Sequence, residues 1–190
     1  MDYGKYKNAR NASWQCLLDY DIKELPVKVT EIIKRSENIK LFKNSDINIL
    51  QNGESGLTIA ENGNFHIIYN DAESSYRCRF TIAHELGHIF LGHLMINKAQ
   101  YRTFKINDSN ESSANVFARD LLAPACVLHE LGVINANAIS KLCNISLESA
   151  TYREKRMCEL ETRNAWYLHP LERKVYMNFE NFIRITKNTP

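Results

Sequence analysis

The spacing of apolar residues predicts helices at the start of the chain and short strands after them. Residues 5–20 and 29–33 place apolar side chains at helical intervals. The pattern then changes to short extended runs at residues 57–60 and 65–69. Between these runs lies Asn62-Gly63, a pair that tolerates positive φ and therefore predicts a hairpin turn.

Helical periods return in the second half of the chain. They cover residues 79–93, 112–122, 136–143 and 147–160. The tail, residues 165–179, alternates weakly between apolar and polar side chains and predicts a hairpin around His169-Pro170. Strands followed by helices, without the alternation of βαβ units, favour an α+β fold.

Composition and charge narrow the class of protein. The chain has 190 residues, of which 44% are hydrophobic and 24% charged, as in globular proteins with one sizeable core. A formal net charge of +2 excludes a basic field over the whole chain for nucleic acid. The longest apolar run, residues 89–96, is interrupted by Gly92 and His93 and is too short for a membrane span. The first residues show no apolar segment of a secretory signal, and the five cysteines are scattered, so we expect a cytoplasmic protein.

The segment with the clearest chemistry is His84-Glu85-Leu86-Gly87-His88, an H-E-x-x-H motif inside a helical period. Residues four apart lie one helical turn apart, so both imidazoles face one space and can share a cation. Glu85 projects to one side, where it can accept a proton from a zinc-bound water without binding the metal. The motif therefore predicts zinc-dependent hydrolysis, and the alternative is a pair of ordinary surface or core histidines.

A catalytic zinc site also needs a third protein ligand. His93 misses by one residue the place of a third histidine in the metzincin layout, so we interpret it as a structural histidine at a helix end. Glu111 lies in the first turn of the next helix, and Asn115 follows one turn later on the same face. Glu111 can then bind zinc while Asn115 accepts a hydrogen bond from the ring N–H of His84. The alternative for Glu111 is a capping box with Asp108.

Two segments around these candidate ligands carry a longer pattern. Residues 79–88 read Arg-Phe-Thr-Ile-Ala-His-Glu-Leu-Gly-His, and residues 111–124 read Glu-x-x-Ala-Asn-x-Phe-Ala-x-x-Leu-Leu-x-Pro. Over residues 56–124 the chain resembles the ImmA/IrrE family of metallopeptidases. The resemblance implies a gluzincin-like zinc endopeptidase with Glu85 as the catalytic base. It also implies Zn²⁺ as the cofactor, bound by His84, His88 and Glu111.

The resemblance further implies a partner and a biological role. Members of this family are often carried by phages and mobile elements, and they typically cleave one helix-turn-helix repressor, which derepresses its target genes. We therefore expect a zinc-dependent endopeptidase whose protein substrate is such a repressor. The alternative is a regulatory protein that binds DNA or the repressor without proteolytic activity.

We expect the chain to divide into three segments. Residues 1–45 form an N-terminal helical segment, and residues 46–125 form a zincin-like catalytic core. Residues 126–190 form a C-terminal helical segment with a tail, which we expect to pack on the core. The fold implied is α+β, with a small antiparallel sheet packed with zincin-type helices and additional helices at both ends.

Substrate binding is assigned to a strand, because zinc peptidases commonly bind their substrate as an added strand at a sheet edge. The candidate edge strand consists of Phe65, His66, Ile67, Ile68 and Tyr69. An interior strand is the alternative for the same residues. The group that stabilises the oxyanion is left open among three candidates, Tyr152, His169 and His129.

A second hypothesis, from another class of function, is DNA binding through residues 136–160. Asn144 can adopt a left-handed turn and Ser146 can cap the next helix, as in a helix-turn-helix. Basic residues lie nearby at Lys141, Arg153, Lys155 and Arg156. Acidic residues interrupt that basic face at Glu148, Glu154 and Glu159. A packing or partner-docking role for the helix pair is therefore favoured over DNA binding.

A second copy of the motif's first four residues occurs at His129-Glu130-Leu131-Gly132. Val133 stands where the second histidine belongs. Without that histidine the segment cannot present two imidazoles one helical turn apart. We therefore expect no metal site there.

Overall fold

The structure is a computed structural model that describes residues 6–94 and 108–188. Within these residues the chain forms nine helices and three strands, which confirms the α+β class. In chain order they are α1 (Lys7–Asp19), α2 (Val29–Arg35), β1 (Ile39–Lys43), α3 (Asn44–Ile47), β2 (Gly56–Glu61), β3 (Asn64–Tyr69), α4 (Ser75–Phe90), α5 (Asp108–Leu122), α6 (Ala125–Glu130), α7 (Ala136–Cys143), α8 (Leu147–Thr162) and α9 (Pro170–Asn188).

The three strands form a mixed sheet in the order β1-β3-β2. β2 and β3 pair antiparallel through the predicted hairpin, and its turn residues Asn62 and Gly63 have φ angles of 50° and 79°. β1 pairs parallel with β3, so the expectation of a purely antiparallel sheet is wrong. Parallel pairing joins segments that are distant in sequence, and local periodicity does not encode it.

The central position of β3 overturns the candidate substrate strand at residues 65–69. On one side of β3, Ile67 pairs with Leu41 of β1, and on the other side it pairs with Thr58 of β2. A strand with a neighbour on both sides has no free edge on which an added strand could bind. Among the described strands, β1 and β2 are the outer ones.

The predicted hairpin in the tail is also wrong, because residues 170–188 form the long helix α9. Val175, Phe179 and Ile183 are buried at intervals of four, which is the spacing of one helix face. Pro170 occupies the first helical position, where its missing N–H costs no hydrogen bond. The weak alternation in residues 165–179 obscured the helical spacing of apolar residues, which continues beyond residue 179 to Ile183.

The described residues divide into two compact units. One contains residues 28–94 and 108–118 together with residues 6–9, and the other contains residues 10–27 and 119–188. Strand β3 and helices α2, α4 and α5 supply almost fully buried apolar residues to the first unit: Ile32, Ile67, Ile68, Leu86 and Phe117. In the second unit the corresponding buried residues come one each from α1, α6, α7, α8 and α9: Leu17, Leu128, Ile139, Met157 and Phe179.

Helices α7 and α8 form the predicted helix pair of the second unit. Asn144 has a φ of 52°, and the Ser146 hydroxyl accepts a hydrogen bond from the amide of Ser149. Arg153 of α8 is buried, and its guanidinium donates to an Asp120 carboxylate oxygen at 2.6 Å. This arginine is therefore engaged inside the unit and does not contribute to a surface for phosphate.

No helix in the described part of the chain combines the length and the apolar character needed to cross a bilayer.

Candidate metal centre

Helix α4 carries both histidines of the H-E-x-x-H motif within regular helix. The Ser74 hydroxyl caps its first turn by accepting a hydrogen bond from the amide of Arg77. The helix ends two residues after His88, and Gly92 then turns the chain with a φ of 71°. Because His84 and His88 both precede this end, they lie one helical turn apart on the same face.

A glycine allows α5 to approach the motif helix closely. A Cβ atom placed on Gly87 would lie 3.1 Å from the Cα of Ala114 and 3.2 Å from the Phe117 ring. Both of these α5 residues are fully buried. The close approach brings Glu111 and Asn115, on the same helix, to the two histidines.

Three side-chain donor groups converge beside α4. His84 Nε2 lies 3.1 Å from one oxygen of Glu111, and His88 Nε2 lies 3.3 Å from the other. The two Nε2 atoms are 3.0 Å apart. Ligand atoms of a tetrahedral zinc site with bonds near 2.1 Å lie about 3.4 Å from each other, so the three groups could hold one metal ion.

The hydrogen bonding of Glu111 also fits a cation. Its Oε1 atom is buried and, although His88 Nε2 lies 3.3 Å away, it accepts no hydrogen bond of good geometry from the described residues, a deficit that a bound cation would remove. Asp108 is the other partner considered for Glu111, and its side chain lies outside the part of the chain that the structure describes.

The cluster is electrostatically suited to positive charge at its centre. Burial by itself raises the pKa of Glu111, but the hydrogen bond from His84 and the proximity of both imidazoles outweigh it and lower this pKa to about 2. Burial likewise lowers the pKa of His84, but the Glu111 hydrogen bond and the nearby carboxylates outweigh it and raise this pKa. The carboxylate therefore stays ionised and attracts either a proton or a metal ion to the imidazoles.

Glu85 is buried, with only 3% of its surface exposed. Its Oε2 atom accepts a 2.6 Å hydrogen bond from the hydroxyl of Thr58 on β2. Burial is the main cause that raises the pKa of the Glu85 carboxyl. Sequence reasoning missed Thr58, because no local pattern shows which strand residue faces a given helix residue.

Both histidines make a hydrogen bond through the ring nitrogen that faces away from Glu111. His84 Nδ1 lies 3.1 Å from Asn115 Oδ1, the contact expected from the sequence. His88 Nδ1 lies 3.1 Å from Nδ1 of His93, which is buried. Burial lowers the pKa of His93 to about 4. The sequence predicted a structural histidine at position 93 but showed no sign of this contact.

The three residues considered for the oxyanion have partners of their own within the second unit. His129 stacks on Trp166 with ring centroids 4.0 Å apart, and Tyr152 lies against the guanidinium of Arg119. The ring of His169 packs against Trp14. None of them is assigned to oxyanion stabilisation.

Residues 38–154 match a family model described as the IrrE N-terminal-like domain, a peptidase family. The chain belongs to the ImmA/IrrE family of metallopeptidases. The match covers more than half of the chain and includes α4 and the described part of α5, so it contains the whole candidate metal centre. No curated protein matches this ImmA/IrrE chain in a sequence comparison.

Proposed function

We propose that this ImmA/IrrE-family protein is a zinc-dependent endopeptidase. The observation that carries the proposal is the convergence of the His84, His88 and Glu111 ligand atoms within 4.8 Å of one another. Two imidazoles and one carboxylate are a donor set typical of catalytic zinc, and they leave a fourth position for water or substrate. In this proposal the three residues bind Zn²⁺ and Glu85 is the general base.

The bound metal would supply Lewis acidity, which polarises a peptide carbonyl and lowers the pKa of a bound water molecule toward neutral pH. Glu85 would accept a proton from the attacking water and pass it to the leaving amine. Thr58 holds one carboxylate oxygen of Glu85, which leaves the other oxygen for that proton. Asn115 fixes the ring of His84 so that its Nε2 lone pair faces the ligand cluster.

The substrate would bind as an added strand along β2 and not along β3. Among the described strands β2 pairs with β3 alone, so its other side is an outer edge of the sheet. Thr58 of this strand contacts Glu85, and a Cβ on Gly56 would lie 3.4 Å from the other Glu85 oxygen. A peptide paired with β2 would therefore run beside the general base.

The substrate that we propose is a helix-turn-helix repressor in the cytoplasm. Its cleavage would derepress genes of a phage or mobile element. The support for this substrate is the family to which the chain belongs. A binding protein without activity has no use for a glutamate buried next to the ligand histidines, since burial of a carboxylate is costly. The engagement of Arg153 with Asp120 likewise weakens the case for DNA binding. Proteolysis is therefore the function that the site supports best.

The proposal is tested by a search for cleavage products. The untagged, zinc-loaded protein is incubated with purified helix-turn-helix repressors from the same genome, and new N-termini are identified by mass spectrometry. We expect a small number of cleavage sites that disappear with 1,10-phenanthroline and return when Zn²⁺ is restored. Cleavage products that are identical for wild type and Glu85→Gln would contradict the mechanism. A zinc-loaded wild type that cleaves no repressor would contradict the substrate.

A further inference from the structure

The two ring nitrogens of His88 face different partners. Its Nε2 faces His84 and Glu111, whereas its Nδ1 lies 3.1 Å from Nδ1 of His93. Only 3% of the His88 side chain is exposed, so bulk water does not reach its ring freely. The polar partner of His88 Nδ1 is therefore the ring of His93.

The backbone at the end of α4 holds His93 in this place. The amide of Gly92 donates to the carbonyl of Ile89, and the amide of His93 donates to the carbonyl of His88, both at 3.0 Å. With Gly92 at a positive φ, these two bonds form a Schellman motif. In that motif the residue after the glycine commonly makes an apolar contact with the residue that accepts its amide. Here the contact is a pair of imidazoles.

Metal binding through Nε2 decides which ring donates in this pair. A ligand nitrogen must offer its lone pair, so the proton of a neutral His88 ring lies on Nδ1. His88 then donates and His93 Nδ1 accepts, which leaves the proton of His93 on its Nε2. This is the same arrangement as at His84, where the acceptor is the amide oxygen of Asn115.

We propose that His93 is a positioning residue of the metal centre, which accepts the Nδ1–H of His88 and fixes the orientation of that ligand. The proposal rests on the proposed metal site and adds a partner to one of its ligands. It also links the end of helix α4 to the site, because the same two residues share a backbone and a side-chain hydrogen bond.

The test compares two variants that differ in hydrogen-bond capacity. His93→Phe keeps a ring and removes the acceptor, whereas His93→Asn places a side-chain oxygen close to the former Nδ1. The Zn²⁺ dissociation constant of the metal-free protein is measured by competition with a chromophoric chelator. The absorption spectrum of the Co²⁺ form reports ligand geometry. His129→Phe is the matched control, because it removes another histidine but keeps a ring against Trp166.

We expect His93→Phe to weaken Zn²⁺ binding by about 10- to 100-fold and to change the Co²⁺ spectrum. We expect His93→Asn to restore most of the affinity and His129→Phe to leave it unchanged. If His93→Phe does not fold, as judged by circular dichroism, His93→Leu replaces it in the same comparison.

Wild-type affinity and a wild-type Co²⁺ spectrum in His93→Phe would overturn the positioning role alone. Equal losses in His93→Phe and His93→Asn would also overturn it, since they would indicate a packing role. A wild-type chain that binds neither Zn²⁺ nor Co²⁺ would instead overturn the proposed metal site, and the positioning role with it.

Discussion

The sequence His-Glu-Leu-Gly occurs twice in this chain, and the two copies have different structures. The first copy begins at His84 inside α4, and the helix continues beyond it to present His88 on the same face. The second copy begins at His129 in the last turn of α6, where Glu130 is the final helical residue. Four identical residues therefore specify a local conformation only in combination with the residues on either side of them.

The two glutamates differ most clearly in their partners. Glu85 is buried, accepts a hydrogen bond from Thr58 and neighbours the candidate ligands. Glu130 instead accepts a hydrogen bond from the hydroxyl of Tyr167 and lies 3.7 Å from the ammonium of Lys187. Burial and the contact with Glu130 together raise the pKa of Tyr167. One carboxylate thus lies buried beside the candidate ligands, and the other links elements of the second unit.

The two glycines are required for different physical reasons. Gly87 has no room for a Cβ because α5 packs against it, with Ala114 Cα 3.1 Å from the place a Cβ would take. Gly132 has open space around it but a φ of 66°, which L-residues rarely adopt. The first glycine sets a distance between helices, and the second ends a helix.

The largest expected effect separates the two glutamates. We expect Glu85→Gln to lower peptide cleavage by about 1000-fold, because the amide cannot accept the proton of the attacking water. Zinc content should remain that of wild type. The matched change Glu130→Gln should leave cleavage unchanged. Cleavage rates of the identified substrate and the zinc content are measured for both variants. Equal cleavage rates for Glu85→Gln and Glu130→Gln would contradict the assignment of Glu85 as the base.

The next largest effect should separate Glu111, which contacts His84, from Glu161, which contacts His129. Glu111→Ala should weaken Zn²⁺ binding by more than about 100-fold, since it removes a proposed ligand. Glu161, whose carboxylate lies 2.6 Å from His129 Nδ1, is the matched position, and Glu161→Ala should not affect zinc. Chelator competition measures both. Asp108→Ala tests the capping-box alternative, which equal losses at positions 108 and 111 would favour.

Substitutions of Gly87 and Gly132 should have smaller effects, which concern the free energy of unfolding and the affinity for zinc. Gly87→Ala should lower the free energy of unfolding by about 1 to 3 kcal/mol through overpacking. It should also weaken Zn²⁺ binding, because α5 must move away with Glu111. Gly132→Ala should cost about 1 kcal/mol from its backbone conformation and leave zinc affinity intact. Denaturant unfolding measures the stability of both variants, and zinc titration measures their affinity. Unchanged zinc affinity in Gly87→Ala would contradict the inference that close packing of α5 on α4 positions Glu111.

The smallest expected effect is the most direct test of the comparison. Val133→His completes an H-E-x-x-H sequence in the second copy, yet we expect the metal content to stay at one ion per chain. The amide of Val133 donates to the carbonyl of Leu128, so the chain has already left the helix at this point. Position 133 therefore does not lie one helical turn above His129. A second equivalent of zinc would show that the motif alone is sufficient.

The sequence by itself determined the local features of this protein. The bounds of α7 and the hairpin at Asn62-Gly63 follow from apolar spacing and turn chemistry, which act between residues close in the chain. The grouping of His84 with His88 follows from the helical repeat, and Glu111 was predicted as a ligand because it lies in the first turn of the next helix. The helical repeat and the hairpin turn are short-range regularities, and a single sequence carries them.

Tertiary structure decided the contacts that no pattern in the sequence showed. The parallel pairing of β1 placed β3 in the middle of the sheet and removed it as a substrate edge. The packing of β2 against α4 supplied Thr58 to Glu85, and the turn at Gly92 brought His93 back to His88. Hydrogen bonds of this kind depend on the positions of elements in space, and neither periodicity nor motif spacing records those positions.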